Sequence, residues 1–369
     1  MAPDMASANQ RLRDAAIDHQ IDLTHVANGM VRKIMSLLNK ADAELFARLT
    51  VALQTMDPES FTVQRLEGLL LSIRDLNSAA YERVRQAVEY DMRELADIEA
   101  EFQGALLDKV PPIRIPTAAV ASDHVYAAVM ARPFQGRLLR EWAMSIGEAR
   151  MARIRDNIRL GYMQGETVDQ MVRRIRGTKA KGYSDGIIEI DRRNAEAVVR
   201  TAVSHTAAVA REQIFKANSE VIKAVQWVST LDSRTTEDCR VRDGLRFTLL
   251  EHKPIGHSIP WCTDKGCGPG QAHWNCRSSA VPVLKSWQEM GIDAQDVEPE
   301  TRSSMDGMVP AGTTYAEWFA AQPAARQDEI VGPTRGRAFR EGKVSFDRFY
   351  NEKGRWMTLE QLRRRGIRV

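Results

Sequence analysis

The sequence predicts an α+β protein, with a predominantly α-helical N-terminal two-thirds, a small mixed α+β, loop-rich central domain, and a short helical C-terminal tail. Three observations predict it. Apolar residues recur at helical spacing through the first half of the chain. The period then changes from helical to alternating at Val221. All four cysteines (Cys239, Cys262, Cys267, Cys276) fall in the segment after that change, together with His252, His257 and His273. The expected regions are an N-terminal helical region over 1–107, a proline-rich linker over 108–118, and a second helical region over 119–219. A motif domain over 220–285 and a tail with short helices over 286–369 complete the chain.

The elements follow in order. Leu66, Leu69, Leu70 and Ile73 form an i, i+3, i+4, i+7 stripe, and Leu95, Ile98, Phe102 and Leu106 continue one of that kind. Asp57-Pro58 reads as an N-cap with proline at the first helical position. These long, charged helices suit an antiparallel bundle or the surface of a partner. Gly104 to Ala118, with Pro111, Pro112 and Pro116, breaks the pattern. A second helical region runs from about Asp123 to Ser219. Within it Thr167 and Gln170 make a capping box and Gly177 a stop, and Lys179 to Gly186 is a basic loop. Helix is expected from about Arg192 to Ala217. A strand follows, with Ile222, Ala224, Gln226 and Val228 on one face and Val221, Lys223, Val225 and Trp227 on the other. Short helices are expected near Tyr315–Ala321 and Leu359–Arg365, in a tail that otherwise reads as polar and plain.

Composition narrows the function. With 369 residues, 43% hydrophobic and 27% charged, the chain fits a soluble globular protein. A net charge of +3 says little about partners, but its distribution says more. Arg150, Arg153, Arg155, Arg159, Arg173, Arg174, Arg176, Lys179 and Lys181 are nucleic-acid-contact candidates, and Arg363, Arg364, Arg365 and Arg368 form a second basic run. The plainer reading of such runs is solvated helix faces. No apolar run approaches the ~20 residues of a membrane span, and Met1 to Arg13 lacks the apolar core of a signal peptide. The expected place of synthesis is the cytoplasm, with no membrane partner, where thiolate metal sites are commoner than structural disulfides.

Cys239, His273 and Cys276, joined by Cys262 or Cys267, could give zinc three thiolates and an imidazole; the four cysteines alone could give an all-thiolate shell. A loop-rich segment with little core gains most from such a cross-link. The alternative is that Cys239 and Cys276 are small buried residues and His273 a hydrogen-bonded turn residue. Catalytic signatures are missing: there is no His-x-Glu with Pro-Cys-x-x-Cys, and Gly266 to Gly270 lacks the Gly-Lys-Ser/Thr ending of a phosphate-binding loop. A Cys239/His273 nucleophile and base needs a geometry that sequence does not supply. Asp232 instead suits a turn cap, Arg234 and Arg277 suit partners of Asp232 or Asp243, and Gly244 a positive-φ turn.

At these residues the chain resembles the phage Mu F-like minor head proteins, the phage head morphogenesis family. The resemblance is carried by Arg200-Thr201 with His205, by Trp227 through Asp232-Ser233-Arg234-Thr235, and by Cys239 and Asp243-Gly244. It continues in Ala272-His273-Trp274-Asn275-Cys276-Arg277-Ser278. Pro133-Phe134-Gln135-Gly136, Gly161 to Gly165 and Asp185-Gly186-Ile187-Ile188 extend it upstream. Gly332-Pro333-Thr334-Arg335 and Met357-Thr358-Leu359 extend it downstream, for coverage from about residue 110 to the C-terminus. Two departures stand out: Gly270-Gln271 where the family commonly has a double proline, and Ser278 where its motif often ends in cysteine. The resemblance implies a non-enzymatic, low-copy component of a tailed-phage head, made in the host cytoplasm. It would associate with the portal protein inside the head at the portal vertex and act in head assembly and genome packaging or ejection. Major capsid or scaffolding protein and packaged DNA are further implied partners. The alternatives are a sequence-independent DNA-binding protein of the virion interior and a zinc- or cysteine-dependent hydrolase.

Overall fold

The structure is a computed structural model and describes residues 5–55, 62–109, 117–286, 288–290, 301–310, 312–367 and 369. Asp57-Pro58, Pro111, Pro112, Pro116 and Arg368 lie outside the described residues. The chain begins with two long helices, α1 (Met5–Gln54) and α2 (Val63–Lys109). Next come α3 (Ser122–Ala131), α4 (Leu139–Met163), α5 (Val168–Arg176) and α6 (Glu189–Ala217). The central region holds β1 (Ile222–Val228), α7 (Glu237–Arg240), β2 (Arg246–Thr248), β3 (Pro254–Ile255) and β4 (Ser279–Leu284). The last part contains the hairpin β5 (Thr301–Ser304) and β6 (Gly307–Pro310) and four helices: α8 (Tyr315–Ala320), α9 (Ala324–Val331), α10 (Pro333–Arg340) and α11 (Leu359–Arg364). The α+β class is that expected from the sequence.

The chain divides into two compact units. The first comprises 24–94 and 130–203 and is helical. Its core joins Leu45, Phe46 and Leu49 of α1, Leu66, Leu70 and Ile73 of α2, Ile154 and Ile158 of α4, and Met171 and Ile175 of α5. The stripe read at Leu66 to Ile73 is therefore a core face. α5 starts at the expected box: Gln170 N donates to Thr167 Oγ1 at 3.3 Å and Thr167 N to Gln170 Oε1 at 2.8 Å. It stops at Gly177, where φ is 89° and ψ 177°, a conformation essentially reserved for glycine. A Cβ there would sit 2.7 Å from the Gly186 nitrogen and the Tyr183 oxygen. Gly177→Ala is expected to lower stability by about 1–3 kcal/mol, read as a fall in the urea midpoint of the full chain. Gly182→Asn, at φ 58° with open space around the site, should stay within about 0.5 kcal/mol.

The second unit comprises 1–23, 95–129 and 204–369. Its four-stranded antiparallel sheet has the order β3-β2-β1-β4. β1 is central, with Val225 opposite Phe247 on one side and Pro282 on the other. Pro282 is tolerable because β4 is an edge strand. Both faces of β1 are covered; only Lys223 is exposed. Leu12 of α1, Leu106 and Leu107 of α2, and Ile214 and Phe215 of α6 share a core with Val225, Trp227, Phe247 and Val281.

Two expectations at the end of α2 are corrected. The helix runs through Gly104 to Lys109, because burial of Leu106 and Leu107 outweighs the roughly 1 kcal/mol helix penalty of glycine. Ile98 is exposed, whereas Glu99 is fully buried. Its carboxylate contacts His19 and accepts from Gln103 Nε2 at 3.2 Å, so a charged residue takes the place in the core that the apolar stripe assigned to isoleucine. The tail is not plain either. Tyr315, Trp318, Phe319, Phe346, Phe349 and Tyr350 form an aromatic core of their own with Leu231 and Leu362.

Candidate functional site

β1 delivers the chain into a turn that is tied together by two carboxylates. Asp232 Oδ1 accepts from the Arg234 and Thr235 amides at 3.1 and 2.9 Å, and from the Thr235 hydroxyl at 3.0 Å. Arg277, which precedes β4, closes a bidentate pair on the same carboxylate at 2.5 and 2.9 Å. Burial pushes the Asp232 carboxyl up, but the Arg277 guanidinium and the Thr235 donors hold it below its ordinary value. Arg234 thus contributes its amide, and its side chain is exposed.

Asp243 is the second carboxylate. Its Oδ1 accepts from the Ser229 amide at 2.7 Å and its Oδ2 from the Tyr315 amide at 2.8 Å. Gly244 follows at φ 80°, and its amide donates to the Trp227 carbonyl at 2.8 Å. Tyr315 completes the tie by donating its hydroxyl to the Asp232 carbonyl at 2.8 Å, and burial pushes that phenol up to about 12.

Sequence reasoning missed Arg242 and Tyr315, and gave Ser229 no role of its own. Arg242 is 2% exposed and donates to the carbonyls of Pro260, Asp238 and Cys262 while lying 5.7 Å from the Trp227 ring centroid. Its position between Cys239 and Asp243 was the available signal.

The thiols come next. α7 carries Cys239, and the loop before β4 carries His273 and Cys276. Cys239 Sγ lies 3.2 Å from His273 Nε2 and 3.8 Å from Cys276 Sγ. Both cysteines are buried and His273 is half-buried. Asn275, at φ 56°, turns the loop so that His273 and Cys276 face the same point. The hydrogen bond shared with Cys276, together with burial, raises the Cys239 thiol. The same bond lowers Cys276 against burial, with help from His273. Cys262 and Cys267 are not brought to this cluster: they are joined to each other in a disulfide across a tight loop. The four-cysteine shell and the shell completed by Cys262 or Cys267 are therefore absent from this structure.

The nine basic candidates separate by environment. Arg150 is buried against Asp42, Arg153 pairs with Asp191, Arg155 with Asp156, and Arg174 with Glu166. Arg150, Arg153 and Arg174 tie separate parts of the unit together, whereas Arg155 and Asp156 are a surface pair of sequence neighbours. Arg159 is half-buried; Arg173, Arg176, Lys179 and Lys181 are exposed around the end of α5.

Residues 152–281 match the family model described as phage Mu protein F like protein. Over that span the chain is similar to that family. The matched span begins in α4 and ends in β4, so it contains the Asp232–Arg277 pair, the Asp243 bond to Ser229, the Cys239/His273/Cys276 cluster and the disulfide loop, whereas Tyr315 lies beyond it. No curated protein and no solved structure matches the chain. Among the described residues no helix is long and apolar enough to cross a membrane.

Proposed function

We propose that this Mu F-like chain associates with the portal protein on the inner side of the portal vertex, where it acts in head assembly and genome packaging or ejection without catalysing a reaction. The observation that carries this reading is the use made of the motif's polar residues. Both carboxylates of the central turn are engaged on each oxygen by backbone amides or Arg277. A general acid or base needs a carboxyl free to exchange protons with a substrate; these two are structural ties. The family match supplies the biological setting.

Co-expression with the portal protein of the same genome tests the reading. Native mass spectrometry is expected to show a portal complex carrying a defined, low number of copies of this chain. A folded chain that never co-purifies with portal or procapsids overturns the portal assignment. Capture of major capsid or scaffolding protein in place of portal would move the chain elsewhere in the head. The exposed cluster Arg173, Arg176, Lys179 and Lys181 favours an accompanying contact with packaged DNA. Sequence-independent binding that weakens steeply with salt is expected of it, and affinity indifferent to salt would remove that contact.

A further inference from the structure

We propose that Cys239, His273 and Cys276 bind one zinc ion that clamps α7 to the loop preceding β4. The site is argued independently of the portal reading. Zinc–sulfur bonds of about 2.3 Å at a tetrahedral angle set two sulfurs ~3.8 Å apart, and Cys239 Sγ and Cys276 Sγ are 3.8 Å apart. The corresponding sulfur–imidazole separation is about 3.5 Å. Cys239 Sγ and His273 Nε2 stand at 3.2 Å, a difference that a small rotation of the half-buried ring removes. All three donor atoms lie within 4.8 Å of one another.

The surroundings prepare each donor. His273 Nδ1 lies 2.8 Å from the Trp274 carbonyl, which can only accept, so Nδ1 carries the proton in that contact. The lone pair of the neutral ring is therefore on Nε2, the nitrogen that faces the sulfurs. Metal-bound histidines are oriented by this kind of hydrogen bond from the other ring nitrogen. On the other side, the Gly270 amide donates to Cys276 Sγ at 3.3 Å, a contact that favours thiolate over thiol. Gly270 sits at φ 82°, and a Cβ there would meet the Ser204 carbonyl at 3.0 Å, so the amide is fixed by a position suited to glycine.

Two thiolates and one imidazole match the mixed sulfur–nitrogen preference of zinc. Binding displaces the thiol protons of Cys239 and Cys276 to solvent. His273 forms the wetter side of the cluster, and there a water completes the tetrahedron. The Thr236 hydroxyl, 2.8 Å from His273 Nε2, then turns from the ring toward that water.

The test uses the full chain, purified under a phosphine reductant and free of chelator. Elemental analysis and native mass spectrometry are expected to give one zinc per chain. Replacement by cobalt(II) should give the intense visible absorption of a tetrahedral centre together with a thiolate charge-transfer band. His273→Ala and Cys276→Ser should each reduce zinc to background, while a Cys262→Ser/Cys267→Ser chain keeps it. The cobalt spectrum of the unmutated chain decides the matter even where a variant fails to fold. Four results overturn the proposal: a folded chain that takes up neither zinc nor cobalt, a Cys239–Cys276 disulfide, bound iron or copper in place of zinc, or loss of zinc with the Cys262/Cys267 pair.

Discussion

Trp227→Ala is expected to produce the largest loss of stability of any single truncation in the motif, about 3–5 kcal/mol. The ring is fully buried at the centre of the sheet core. It meets Trp261 edge-on at a centroid distance of 5.4 Å and has the Arg242 guanidinium over it at 5.7 Å. Removing it opens a cavity and also strips the buried Arg242 of its aromatic neighbour, leaving that charge with carbonyl partners alone. Trp227→Phe keeps a ring in the same place and should recover more than half of the loss. Urea unfolding followed by circular dichroism reads both. Equal midpoints for Trp227→Ala and the unmutated chain would show that the ring is not at the centre of this core.

Asp232→Ala is the second, with an expected cost of about 2–4 kcal/mol. The substitution leaves Arg277 without its carboxylate and the Arg234 and Thr235 amides without their shared acceptor. We set the cost below that of a fully buried ion pair because the Arg277 side chain is 27% exposed, and water can reach its nitrogens. A pH dependence accompanies it. The folded-state carboxyl is held below its ordinary value, so its contribution is present above the unfolded carboxyl range, near pH 4, and is lost as pH falls through the lower folded value. The unmutated chain should therefore lose stability on the acid side of about pH 4, and Asp232→Asn should lack that part of the decline. Parallel acid profiles for the two chains would exclude Asp232 as its source.

The parts of the fold legible in the sequence were those fixed by neighbours along the chain. The Leu66–Ile73 stripe, the Thr167/Gln170 box, the Gly177 stop and the strand from Ile222 all show as patterns among residues a few positions apart. What sequence could not supply were partners far along the chain. Arg150 reads as a free cation until Asp42, 108 positions earlier, is brought against it. The apolar stripe assigns Ile98 to the core, but His19, 80 positions earlier, meets Glu99 there. The aromatic core of the tail escaped notice because its members fall in two groups, Tyr315 to Phe319 and Phe346 to Tyr350, that only the fold brings together. At the site, the family resemblance pointed to Asp232, Asp243, His273 and Cys276, whereas Arg242 and Tyr315 became visible only through their hydrogen bonds. Cys262 and Cys267 were offered as metal ligands because cysteine spacing alone does not separate a thiolate pair from a disulfide.

Asp243 reaches the C-terminal segment through the amide of Tyr315, not through its side chain. Every residue type except proline carries that group. This amide bond is therefore independent of the side chain at position 315 and sensitive to the path of the chain through it, whereas the companion bond to the Asp232 carbonyl needs the tyrosine hydroxyl. Descendants of this sequence could rewrite most of the tail and keep the tie, provided a helix still began at that place. A single proline there would release it with every motif residue unchanged.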